Sequence, residues 1–286
     1  LGTQVTVVEP GSALAGFDPE LVLFALQRMR EEGVDIREQT SVSAIQARSQ
    51  GIGVVVRSGD SEELLDVSHI LVAGARLPVL EGLDLDKAGI KRRAADPDRL
   101  ELTAGLATSN RRVLAVGDVT GGPQYAHAAA LEAEAAVRHA LLGAPVRIDR
   151  GRVPRIVYTD PEVAEIGPTE DEARKRHGSG FRVVRASFAD NARARAGRAA
   201  YGTAKLMVGR NGRILGAGFA GERTAELISL LALAVSSRLT VRDLRDFLPP
   251  HPTYAELVQR LGAEALREQA ASPLMQRLVS LVRLIP

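Results

Sequence analysis

The chain has 286 residues, 45% hydrophobic and 25% charged, the make-up of an ordinary globular protein with room for about two domains. Its 37 basic and 35 acidic residues leave a formal net charge of +2, and aromatics at 3% offer few platforms for base stacking, so nucleic-acid binding is not expected. With no cysteine, no secretory pattern at the start and no apolar run near the ~18 residues of a membrane span, the sequence offers no disulfide framework, thiolate metal site or thiol nucleophile, and it reads as cytoplasmic.

Residues 4–8 (QVTVV) form a β-branched run that ends at Glu9 and reads as a buried parallel strand. Asp18 then stands as an N-cap with Pro19 at the first helical position, and Gly33 closes a helix carrying Leu21, Phe24, Leu26 and Met29. A short strand at 34–37 follows. Three alternating segments at 42–47, 53–58 and 63–67 read as an antiparallel meander, and the apolar run at 70–73 as a further buried strand. The pattern is that of an α/β nucleotide domain decorated by a small ribbon.

Residues 77–110 are rich in loop signals. A strand expected at 113–116 runs into Gly117-Asp118, and a Gly-Gly-Pro turn at 121–123 precedes an alanine-rich helix over 124–142, ended by Gly143. After a linker at 147–154 the pattern changes. Strands are expected at 156–159, 181–187, 204–208 and 214–219, the last two joined as a hairpin at Gly212, and helices at 169–176, 222–236, 240–247 and 254–268. Strands followed by helices imply an α+β domain with an antiparallel sheet. There is no internal repeat.

Three places carry residues suited to chemistry. Glu9, at the carboxyl end of a strand, is either a solvated strand-end residue or an acceptor for a ribose diol, in which case it disfavours a 2′-phosphate and so favours NAD. The Gly117-Asp118 step is either a tight turn before an N-capped helix or a place where backbone approaches a cofactor while the carboxylate takes a hydroxyl; the helix beginning near Tyr125 aims its N-terminal amides there. In PPHPTYAE, His251 and Glu256 lie five apart across the start of a helix. A histidine there is either a plain surface residue or a proton-transfer group oriented by the glutamate. The other histidines are scattered, and no metal site is expected.

Together the segments VTVVEPGSAL, ILVAGARLPVLEGLDLDKAGI, VLAVGDVTGGPQYAHAAALEAE, VPRIVYTDPEVAEIGPTEDEA, NGRILGAGFAGERTAELI and PHPTYAELV resemble, in order, the class I pyridine nucleotide-disulfide oxidoreductases, which include dihydrolipoamide dehydrogenase, glutathione reductase and mercuric reductase. The resemblance spans nearly the whole chain and implies a C-terminal part whose FAD-binding glycine loop, redox cysteine pair and NAD glycine loop precede it. It implies partial Rossmann-like NAD- and FAD-binding domains, followed by the dimerisation domain of a homodimer: residues 1–75 from the NAD domain, 76–150 returning to the FAD domain, and 151–286 at the interface. By the same carry-over, Glu9 binds the NAD ribose. Val42 and Ala75 line the nicotinamide nucleotide site, although the family usually reads Ala-Thr-Gly-Arg where this chain has Ala73-Gly74-Ala75-Arg76. Gly117 and Asp118 meet the FAD ribityl chain, and Gln124, Tyr125, Ala126 and His127 pass beside the flavin ring. His251, held by Glu256, is the acid/base at the partner's flavin.

The implied activity is hydride transfer between NAD(P)H and FAD and on to a thiol or disulfide, as in dihydrolipoamide dehydrogenase. The alternatives are a flavin-only transhydrogenase, a metal reductase, and a non-catalytic dimerisation fragment that on its own binds FAD and NAD poorly. The basic amphipathic tail at 272–286 is expected to form a helix on the dimer surface rather than to contact a membrane.

Overall fold

A computed structural model describes residues 2–270, which fall into two compact units. One contains the residues up to 71 together with those from 156 onward, and the other runs over Val72–Arg155. The amphipathic tail lies outside the described residues.

In chain order, β1 (Thr6–Val8) pairs in parallel with β2 (Asp35–Arg37) across the helix α1 (Pro19–Glu31). The expected cap is present: Asp18 is extended at φ −62°, ψ 124°, and its Oδ1 accepts the Glu20 N–H at 3.0 Å. The meander forms as β3 (Ser41–Ala47), β4 (Ile52–Ser58) and β5 (Ser61–Val67), an antiparallel sheet in that order with a register shift between Val42 and Ala44.

The second unit is mostly irregular. It holds a small hairpin of β6 (Arg92–Arg93) and β7 (Asp96–Leu100), a 3-10 turn at Gly117–Thr120, and α2 (Ala126–Leu142), closed by a left-handed Gly143. Two expected strands are reduced. The run at 70–73 forms no strand, with Leu71 91% and Val72 85% exposed. At 113–116 only the Ala107–Leu114 bridge remains, held by Thr108 N–H to Val113 O and Ala115 N–H to Leu106 O. Apolar content predicts burial, but a strand also needs a neighbouring backbone to take its hydrogen bonds.

The rest of the first unit is the expected α+β arrangement. A five-stranded sheet runs in the order β10 (Phe181–Ser187), β11 (Thr203–Gly209), β12 (Ile214–Gly221), β9 (Glu162–Ile166) and β8 (Arg155–Val157), antiparallel from β10 through β9. Around it stand α3 (Glu170–His177), α4 (Ala192–Ala196), α5 (Thr224–Ser236), α6 (Val241–Asp246) and α7 (Glu256–Ala270). On one face Leu206, Val208 and Phe219 pack with Leu227 and Leu231 of α5 and with Leu257 and Leu261 of α7, forming the main core. On the other face Leu21 and Ala25 of α1 meet Val163 and Ala220. That approach requires glycine at 218, where any Cβ would collide with the Leu21 side chain.

On this second face β11 carries Lys205, whose side chain is only 3% exposed. Its ammonium meets Asp18 at 2.8 and 2.9 Å, Glu20 at 2.9 Å and Glu170 at 2.9 Å. Arg185 of β10 grips Glu20 with two bonds at 2.7 and 2.6 Å and reaches Glu170 at 3.0 Å. Asp18 also accepts the Glu170 N–H at 3.2 Å, so one carboxylate serves the starts of α1 and α3. The Arg185 hydrogen bonds, with help from Lys205 and against the opposing effect of burial, bring the Glu20 carboxyl down to about 2. For Lys205, burial favours the neutral form, but the Asp18, Glu20 and Glu170 contacts outweigh it and raise its pKa.

Replacing Lys205 with Met leaves three carboxylates facing one another in a buried place and is expected to cost about 3–5 kcal/mol at pH 7. Because the folded pKa of Glu20 is depressed from 4.5 to about 2, its contribution is complete above 4.5 and disappears as pH falls through that window. Lys205 supplies part of that depression and Arg185 the larger part, so it is the Lys205 part that the variant lacks, and the gap in urea midpoint between wild type and Lys205→Met should narrow from pH 7 to about pH 3.5. A gap that does not change with pH would show that the cluster is not electrostatic in origin.

Candidate functional site

The segment between α6 and α7 is a stiff, proline-rich loop pinned at several points. The Thr253 hydroxyl donates to Pro250 O at 2.7 Å, Asn191 donates from Nδ2 to Thr253 O at 2.9 Å, and Tyr254 is buried against Phe188. Glu256, the first residue of α7, reaches back with Oε1 to the Thr253 N–H at 2.7 Å, satisfying an amide at the start of the helix. Its Oε2 lies 3.1 Å from His251 Nδ1. A carboxylate only accepts, so Nδ1 carries the hydrogen and Nε2 faces outward from a ring whose side chain is 71% exposed. Partial burial would raise the Glu256 carboxyl, but the Thr253 N–H and the His251 imidazole hold it below the usual carboxylate range. The structure thus brings together His251 and Glu256 as an oriented donor–acceptor pair able to move a proton at Nε2.

In the second unit, Gly117 has φ +78°, a backbone region that favours glycine, and begins the 3-10 turn that presents Asp118. Asp118 has a 43% exposed side chain, with an Arg76 guanidinium at 3.6 Å. Arg76 also exchanges hydrogen bonds with Gln124: its Nη2 donates to Gln124 O at 2.9 Å, and Gln124 Nε2 donates to Arg76 O at 3.2 Å. Beyond Gln124, Tyr125 is the extended N-cap of α2. The rings of Tyr125 and His127 stack at 5.1 Å, and His127 Nε2 bonds Pro154 O at 2.9 Å. The N-terminus of α2 has no side-chain cap and no acidic residue in its first turn. An exposed carboxylate beside an uncapped helix start, which includes Ala126, is a donor and acceptor set that fits the polar chain of FAD: hydroxyls to Asp118, negative charge to the helix.

Glu9 extends β1, its N–H bonded to Arg37 O and its carbonyl taking the Thr40 N–H. One carboxylate oxygen accepts the Gly11 N–H at 2.9 Å, which fixes the side chain and leaves the second oxygen as an acceptor suited to a ribose diol of NAD. Val42 sits on β3 beside the register shift, half-exposed. Ala75 lies exposed in the irregular segment that starts the other unit.

The family profile for pyridine nucleotide-disulphide oxidoreductases matches residues 1–133, and the profile for their dimerisation domain matches residues 153–261. The chain belongs to this family. Among similar proteins, a dihydrolipoyl dehydrogenase of Geobacillus stearothermophilus is 30% identical over 93% of this chain and 56% of its own length. A mercuric reductase of Staphylococcus aureus is 30% identical over 90% of this chain and 47% of its own length. The solved structure of RclA, an HOCl-induced flavoprotein disulfide reductase from Escherichia coli, superposes with a TM-score of 0.81 at 29% identity, covering 92% of this chain and 59% of that one. This pyridine nucleotide-disulphide oxidoreductase chain therefore spans about half the length of the curated relatives it matches.

The structure adds residues that the sequence reading did not single out as site residues. Arg76 joins Asp118 to Gln124 across 48 positions. Glu132 is buried behind the Gly117 turn and accepts the Gly117 N–H at 2.9 Å. A signal for Glu132 was present: it shares the i, i+4 stripe of Ala128 and Ala136 on α2, where a carboxylate is out of place.

Removing the Glu256 carboxylate should have a local spectroscopic consequence. Long-range proton–nitrogen spectra above the titration range of histidine are expected to show the Nδ1–H tautomer at His251 in the wild type, and loss of that preference in Glu256→Ala. The same variant should lose about 1 kcal/mol of stability through the unpaired Thr253 amide. An unchanged tautomer would mean that the His251–Glu256 contact does not persist in solution.

Proposed function

We propose that the protein is an FAD-dependent oxidoreductase that passes hydride between NAD(P)H and flavin and on to a thiol or disulfide substrate, in the manner of a dihydrolipoamide dehydrogenase. The observation that carries this reading is the His251–Glu256 pair, oriented with Nε2 outward on a rigid loop. Thiol chemistry needs a group that takes a proton as a thiolate forms and returns it as a disulfide is reduced, and an imidazole is suited to both near neutral pH. Glu256 fixes the tautomer of the ring. Bound flavin would supply the two-electron relay between nicotinamide and sulfur.

In this reading residues 1–75 contribute to NAD binding, 76–150 to FAD binding and 151–286 to the interface of a cytoplasmic homodimer, in which His251 serves the partner's flavin. Glu9 receives the adenosine ribose and favours NAD over NADP. Val42 and Ala75 border the nicotinamide nucleotide. Gly117 and Asp118 hold the ribityl chain, and Gln124 to His127 flank the flavin ring. Metal reduction is the second reading, supported by the likeness to the mercuric reductase; it has no use for a proton relay at His251.

The two half-reactions separate these readings. In the full-length, flavin-loaded protein, His251→Gln should slow turnover of a dithiol substrate by about 10²- to 10⁴-fold while flavin reduction by NADH stays within about threefold of wild type. Stopped-flow absorbance of the flavin measures both. Equal loss in the two half-reactions, or no loss in the thiol half, would sink the acid/base role.

A further inference from the structure

Glu132 is a costly residue to place where it is. Its side chain is 4% exposed on the buried stripe of α2, between Ala128 and Ala136, where an alanine would continue the packing without desolvating a charge. What it meets explains the choice. Oε2 accepts the Gly117 N–H at 2.9 Å. The Thr120 hydroxyl lies 3.2 and 3.1 Å from the two carboxylate oxygens. Arg150 Nη2 donates to Oε1 at 3.2 Å and to Thr120 Oγ1 at 3.1 Å, and Thr120 Oγ1 accepts the Gly122 N–H at 3.4 Å. An acceptor-only group with two oxygens is what this set of donors requires.

These bonds take hold of the first and last residues of the 3-10 turn Gly117–Thr120 and do not engage the residue after Gly117. That residue is Asp118. Gly117 itself is confined from behind, since a Cβ there would lie 3.3 Å from the Ala129 Cβ, and its φ of +78° lies in a region that favours glycine. The ends of the turn are thus tied to a buried carboxylate on a 17-residue helix, and the Asp118 oxygens are presented between them.

We infer that Glu132 is a positioning residue for flavin binding: without touching the cofactor, it fixes the turn on which Asp118 meets the ribityl hydroxyls, and Arg150 closes the carboxylate from the other side. This rests on the assignment of Asp118 to the flavin chain. It predicts that the contribution of Asp118 to flavin affinity depends on Glu132.

The experiment uses the full-length, flavin-loaded protein with Glu132→Ala, Glu132→Gln, Asp118→Ala and the Glu132→Ala/Asp118→Ala double variant. Two quantities are read: the FAD dissociation constant, from the fluorescence of released flavin, and amide hydrogen exchange in a peptide covering residues 113–124. Glu132→Ala should weaken FAD by about tenfold and speed exchange in that peptide, while Glu132→Gln, which keeps an acceptor for the Gly117 N–H, should stay within about threefold of wild type. Asp118→Ala should weaken FAD without changing exchange, and the double variant should bind FAD no worse than the weaker single variant.

If Asp118→Ala leaves FAD binding intact, the assignment of Asp118 fails, and exchange in Glu132→Ala still decides whether Glu132 holds the turn. Wild-type exchange in Glu132→Ala, or fully additive losses of affinity in the double variant, would overturn the inference. Should Glu132→Ala fail to fold, Arg150→Gln replaces it. A smaller rise in exchange and a smaller loss of affinity are then expected, and no change in either would count against the proposal.

Discussion

The first unit is organised around one buried ammonium. Lys205 on β11 gathers Asp18 and Glu20 from the start of α1 and Glu170 from the start of α3, and Arg185 of β10 locks the two glutamates from the outer side. An isolated charge at that depth is strongly unfavourable, so it is tolerated only when every partner is in place. This makes the arrangement all-or-none. The hydrophobic contact between α1 and the sheet through Leu21, Ala25, Val163 and Ala220 is non-directional, and the ion cluster is what sets its register.

Much of this fold could be read from local sequence. The Asp18-Pro19 start of α1, the alternation of β3 to β5 and the hairpin of β11 and β12 are written in residues close to one another, and they form as expected. Features decided by distant partners were not legible. The strand β9 (EVAEI) contains two glutamates and does not look buried, yet Glu165 accepts the Asp18 N–H at 2.5 Å and Glu162 takes the Ala225 N–H at 3.1 Å. Conversely, the run at 70–73 looks like a core strand and lies exposed, because apolar residues do not specify which backbone pairs with them. Lys205 sits in the apolar run TAKLMV, where only its distant carboxylates explain it.

The candidate site divides in the same way. His251 and Glu256 are five residues apart, and the prolines before them restrict the backbone, so their contact could be expected from spacing. Asp118 could be found because a Gly-Asp step before a helix is a local signal. The groups that hold it are not local to it: Arg76 lies 42 positions before and Glu132 and Arg150 lie 14 and 32 positions after. Residues that touch a ligand can be read from a motif, whereas those that hold the motif in shape are scattered along the chain. Spacing says nothing about Val42 and Ala75 either: Val42 is one exposed position on a paired strand and Ala75 one exposed position in an irregular stretch.

The triple duty of Asp18 bears on how such chains can be recombined. One carboxylate caps the start of α1, receives the amide that starts α3 and neutralises Lys205, so segments more than 150 positions apart are matched parts. A chimera joining the α1 segment of one relative to the sheet of another inherits a working joint only if both halves keep their side of it. The natural seam for exchanging domains therefore does not fall between α1 and the strands beneath it, however far apart they are in sequence.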